Sequence, residues 1–87
     1  RENEVETVGK KERFRRNIMA IQLLKKCQEE NRFATPEEQI ILSKYVGWGG
    51  LSEAFDENNS VWATEYLELS SVLTPEEYAS ASYHSHL

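Results

Sequence analysis

The sequence predicts an all-α protein, a small bundle of four helices with a short extra helical turn after a Gly-Trp-Gly-Gly turn. Three observations predict it. Apolar residues recur every three or four positions over residues 10–31 and 61–73, the spacing of one helix face. Two Thr-Pro-Glu-Glu boxes, at 35–38 and 74–77, read as helix starts. No stretch sustains the period-two alternation of a half-buried strand.

Residues 1–9 are polar apart from Val5 and Val8, and they end in Gly9. They read as a flexible lead-in, with Gly9 breaking any helix. Residues 10–31 contain neither proline nor glycine and are rich in good helix formers. At about 100° per residue, Phe14, Ile18, Ile21 and Leu24 form one apolar stripe. Lys11, Arg15, Gln22 and Lys26 fall on another face, and Met19 and Leu23 lie nearly opposite the stripe. Cys27 reads as a small buried hydrophobe.

Thr35 caps the second helix, Pro36 suits its first turn, and Glu38 bonds back to the cap. That helix is expected to run to Val46, with Gly47 as its C′ residue in positive φ. Three glycines among Gly47-Trp48-Gly49-Gly50 then make a sharp turn with a tryptophan at its corner. Residues 51–55 suggest one helical turn and residues 56–60 a loop. Asn59 or Ser60 caps a helix over 61–73, whose Trp62, Tyr66, Leu69 and Leu73 share a face. The second box starts the last helix, expected to fray over 83–87. A single helical domain over 10–82 follows, its core drawn from Phe14, Ile18, Ile21, Leu24, Ile41, Leu42, Tyr45, Trp48, Leu51, Phe55, Trp62, Tyr66, Leu69 and Leu73.

The 87 residues are 39% hydrophobic and 29% charged, a globular composition for one small domain. The net charge of −5 conceals a segregation: −2 over residues 1–9, +5 over 10–32 and −8 over 33–87. A basic helix in an acidic chain serves either its own acidic half or an outside polyanion. One cysteine permits no internal disulfide and suits a reducing, cytoplasmic setting. No apolar run is long enough for a membrane helix. The absence of an initiator methionine suggests a mature or excised piece.

The candidate functional residues follow from these patterns. Lys10, Lys11, Arg13, Arg15, Arg16 and Lys26 suit phosphate contact, and Gln22 and Asn17 are the candidates for reading a base edge. Met19, Leu23 and Trp48 are candidate contacts to a protein partner. The glycines are not followed by the lysine of a phosphate loop, and no strand precedes them as in a dinucleotide fold. His84 and His86 lack the further ligands of a metal site, so neither metal nor cofactor is expected. No acid–base pair or nucleophile constellation suggests catalysis.

Several motifs together resemble a known family. They are Phe14-Arg15-Arg16-Asn17-Ile18-x-Ala20-Ile21-x-Leu23-Leu24, Thr35-Pro36-Glu37-Glu38-Gln39, Tyr45-Val46-Gly47-Trp48-Gly49-Gly50-Leu51, Glu65-Tyr66-x-Glu68-Leu69 and Leu73-Thr74-Pro75-Glu76-Glu77-Tyr78. The stretch from residue 10 to about 80 is similar to the segment preceding the methyltransferase part of large N6-adenine DNA methyltransferase–helicase fusion proteins. Such proteins are carried by bacterial conjugative elements and phages. The resemblance implies a cytoplasmic, non-catalytic accessory domain beside those enzymes. Their Asn/Asp-Pro-Pro-Tyr/Phe motif and methyl-donor loop do not occur in these residues. Two roles are then expected: contact with DNA through the basic first helix, or docking on the neighbouring catalytic domain without DNA.

Overall fold

The computed structural model describes residues 2–87. They form four α-helices, α1 (Glu2–Glu29), α2 (Pro36–Leu42), α3 (Ala63–Val72) and α4 (Pro75–Ser85). Two short 3-10 turns, Ser52–Phe55 and Ser60–Trp62, lie between α2 and α3. No strand occurs among the described residues, so the fold is all-α. The chain divides into two compact units, Arg1–Gly47 and Trp48–Leu87.

In the first unit, α1 begins eight residues earlier than the expected start at Lys10. Gly9 lies inside it and does not break it. One interior glycine costs about 1 kcal/mol relative to alanine, and good helix formers follow it. Lys10 also reaches back to Glu6 at 3.6 Å, one turn away across the glycine. The other end is a Schellman stop. Asn31 takes a left-handed φ of 52°, Arg32 N–H bonds the Cys27 carbonyl at 3.0 Å, and Asn31 N–H bonds that of Gln28 at 3.1 Å.

Both capping boxes form as read. In the first, Glu38 N–H donates to Thr35 Oγ1 at 3.1 Å, and Thr35 N–H donates to Glu38 Oε1 at 2.9 Å. Glu38 also anchors a side chain from the preceding connection. Arg32 holds it with two guanidinium bonds, 2.7 and 3.0 Å, while the Arg32 Nε bonds Glu30 at 2.6 Å. The cap and the α1–α2 connection are therefore tied through one carboxylate.

The helix α2 stops at Leu42 rather than reaching Val46. Beyond it Lys44 and Tyr45 make only three-residue turn bonds, at 3.1 and 3.2 Å. The cause lies on α1. Asn17, fully buried, accepts from Val46 N–H at 2.9 Å and donates to the Gly47 carbonyl at 2.6 Å. The peptide groups that would extend α2 are thus engaged by a side chain. Gly47 sits at φ 78°, the expected value, although the helix ends five residues earlier and Gly47 is not its C′ residue.

In the second unit, Leu51 N–H bonds the Trp48 carbonyl at 3.0 Å across a tight turn. Gly50, at its third position, has φ 77°, the conformation a type II turn demands there. Trp48 meets Phe55 edge-on, ring centres 5.6 Å apart, and Phe55 meets Tyr78 at 5.2 Å. Burial raises the Tyr78 phenol above its ordinary pKa. Asn59 Oδ1 accepts from Val61 N–H at 3.1 Å, so the expected cap starts a 3-10 turn before α3. The second box caps α4 at 3.1 and 2.8 Å. The expected fraying over 83–87 is not seen: α4 continues to a buried Ser85, whose hydroxyl bonds the Ser82 carbonyl at 2.6 Å.

Most of the expected core is buried: Phe14, Ile18, Trp48, Leu51, Trp62, Leu69 and Leu73. Ile21, Ile41, Leu42, Phe55 and Tyr66 are half-buried. Leu24 and Tyr45 are exposed, contrary to expectation. Leu24 lies about 60° off Ile21 at the edge of the stripe. Tyr45 falls in the turn after α2, outside any helix face. Small side chains fill places the apolar pattern did not mark: Ala20, Ala54, Ala81 and Ser85 are buried. Cys27 is buried as read.

Two outcomes follow. A Cβ at Gly47 meets nothing within 4 Å, so Gly47→Ala costs stability through φ alone, about 1–2 kcal/mol. Gly49→Ala, also open and without positive φ, stays within about 0.5 kcal/mol of wild type. Guanidinium denaturation that gives both the same cost contradicts the backbone explanation. The second outcome concerns pH. The Arg32 bonds, then that from Thr35 N–H, hold the Glu38 carboxyl down at about 2. A depressed carboxyl stabilises fully above its unfolded value and loses that contribution as pH falls through the folded one. Wild type should therefore melt above Glu38→Gln at about pH 6, and the difference should vanish near about pH 2. A gap that persists at low pH shows that charge is not its source.

Candidate nucleic-acid interface

The first helix carries most of the candidate residues, and its geometry sorts them. At 100° per residue, Lys11, Arg15, Gln22 and Lys26 fall within an arc of about 60°. They span about 22 Å of the helix axis, at 1.5 Å per residue. Arg15, Gln22 and Lys26 are exposed and Lys11 is half-buried. Between residues 11 and 26 no acid lies on this arc; Glu4 and Glu29 mark its two ends. The Arg15 guanidinium carbon lies 5.7 Å from the centre of the neighbouring Phe14 ring, which steadies its stem without removing its charge.

Lys10, Arg13 and Arg16 do not belong to that arc. Lys10 and Arg13 are half-buried at the margin of the buried face. Lys10 pairs with Glu6 at 3.6 Å, and Arg16 pairs with Glu12 at 2.9 Å. Both are same-helix pairs one turn apart, worth a few tenths of a kcal/mol each. Apart from Asn17, the nitrogen-bearing candidates thus resolve into one coherent face of four and three residues placed elsewhere.

Asn17 cannot read a base. It is fully buried, and both ends of its amide are engaged by Val46 and Gly47. The signal was present in the sequence. Asn17 sits between the directions of Ile21 and Leu24, so a polar side chain points into the apolar stripe. A buried amide there needs hydrogen-bond partners from the chain itself.

Of the partner-contact candidates, Met19 is 46% exposed and Leu23 is half-buried. Both lie on α1 beyond the basic arc. Trp48 is different: it is only 7% exposed and packs on Phe55. Its ring is a core element of the second unit and offers no face to a partner. His84 sets Nδ1 2.7 Å from the Ser80 carbonyl, one turn back on α4.

Chemically, the α1 arc presents three cations and one amide along a rigid rod. Such a face suits phosphates, and affinity of that kind comes from counterion release. No helix among the described residues is long and apolar enough to cross a membrane. No protein-family model, curated protein or solved structure matches this chain.

Proposed function

We propose that this chain is a non-catalytic accessory module that contacts DNA through α1, beside the methyltransferase and helicase parts of a larger protein of the kind its sequence resembles. The observation that supports this most is the acid-free run of Lys11, Arg15, Gln22 and Lys26 along one face of α1. Phosphate contacts from such a face position a protein on DNA without selecting a sequence. Gln22 carries the amide suited to an adenine edge, and Arg15 the guanidinium suited to a guanine edge. The competing role is docking on the neighbouring catalytic part without DNA, for which the exposure of Met19 speaks.

Titration with short duplex DNA separates the two. Three phosphate contacts give a salt slope near −2.7, so affinity should fall about 40-fold between about 50 and 200 mM salt. Amide shifts should follow residues 11, 15, 22 and 26. Replacing Lys11, Arg15 and Lys26 by Glu should abolish binding while the far-ultraviolet circular dichroism stays unchanged. Absence of binding at about 50 mM salt, or binding that ignores these three charges, overturns the proposal.

A further inference from the structure

A second face of α1 remains unexplained. Val5 and Val8 are 72% and 65% exposed, Met19 is exposed and Leu23 is half-buried. With Gly9, Glu12 and Arg16 they occupy a band about 100° wide, centred away from the buried stripe and beside the basic arc. Gly9 is the odd member. An interior helix glycine costs about 1 kcal/mol, yet a Cβ there would meet only the Arg13 guanidinium at 4.0 Å. Nothing among the described residues requires a glycine at this position. A close approach by another backbone would.

Six of the seven residues of this band pair about the level of Phe14; Val8 does not, since its counterpart, Ala20, is buried. Val5 and Leu23 stand nine residues to either side, Gly9 and Met19 five, and Glu12 and Arg16 two. Residues equidistant from Phe14 share one mean direction on any helix, so the complementarity lies in residue type: Val5 opposite Leu23, and Glu12 opposite Arg16. In an antiparallel two-fold pair of helices, residue i meets residue j and j meets i. Val5 then faces Leu23 of a second copy, and Met19 of one copy lies at the level of Gly9 of the other. Glu12 meets Arg16 of the other copy, and Arg16 meets its Glu12. Within one chain Glu12 and Arg16 are already 2.9 Å apart, so the contact closes a ring of four alternating charges.

We infer that this chain self-associates through α1 as an antiparallel two-fold dimer, with Val5, Met19 and Leu23 as its apolar strip and the Glu12–Arg16 ring at its centre. The occupant is a second copy because Val5 with Leu23, and Glu12 with Arg16, complement each other when the helix is reversed. The interface is short, so the dimer is a weak one of the class that buries less than about 1,200 Å². A consequence rests on the DNA-contact reading. The basic arc lies about 90° from the contact line, and the two-fold keeps both arcs on the same side of the dimer, doubling the charge offered to one duplex.

Sedimentation of the full chain without DNA tests the dimer independently of that reading. Wild type should shift from monomer toward dimer between about 10 µM and 1 mM. Glu12→Arg alone and Arg16→Glu alone should each weaken association more than about tenfold, since each places like charges across the two-fold. An equimolar mixture of the two variants should recover wild-type association, because opposite charges then face each other at both positions. As a second readout, mixing Val5→Cys with Leu23→Cys under mild oxidation should yield a cross-linked heterodimer, whereas Val5→Cys alone should not cross-link. A wild type that stays monomeric, a mixture no tighter than its components, or cross-linking that ignores this register overturns the inference.

Discussion

The side chain of Asn17 decides where α2 ends and where the glycine turn begins. An amide carries one acceptor and two donors, and here it replaces what a helix ladder would supply. Its oxygen takes the Val46 N–H and its nitrogen gives to the Gly47 carbonyl. Because Asn17 is fully buried, leaving either contact unmade costs about 1–3 kcal/mol. That penalty exceeds what one more turn of a short helix ending in an exposed Tyr45 would return. Gly47 makes the arrangement possible, since its positive φ turns the carbonyl toward α1 without the strain a side chain would add.

The acid-rich and base-rich segments are used locally before they are used globally. Arg32, at the end of the basic segment, is committed to Glu38 and Glu30. Lys10 and Arg16 are committed to acids one turn away. By position around the helix, the coherent basic face of α1 is narrower than the charge count of the segment suggests. The functional reading rests on position around a helix, not on net charge. The same periodicity sets the centre of the basic arc about 90° from that of the band beside it.

Legibility in the sequence followed the range of the interaction. Both capping boxes and the Asn59 cap are set by residues within four positions of each other, and all are readable. So were Phe14, Ile18, Trp62 and Leu69, whose burial follows from helical spacing. The early end of α2 was not readable in the same way, because its cause lies 29 and 30 residues away in Asn17. Nor was the start of α1 at Glu2: a lone glycine is a modest penalty, and a long helix with local ion pairs absorbs it. Tyr45 would join the core only if α2 extended past it. At the candidate site, periodicity alone placed Lys11, Arg15, Gln22 and Lys26 on one face, while counting charge added Lys10, Arg13 and Arg16, which lie elsewhere on the helix.

Hydrogen exchange at the Val46 amide tests the central claim directly. Val46 is in no helix and its side chain is exposed, so the Asn17 bond is what shields its N–H. The account predicts exchange as slow as that of the buried stretch of α1 around Ile18, limited by cooperative opening. Exchange as fast as that of an open loop amide would show that Asn17 does not hold the chain at Gly47.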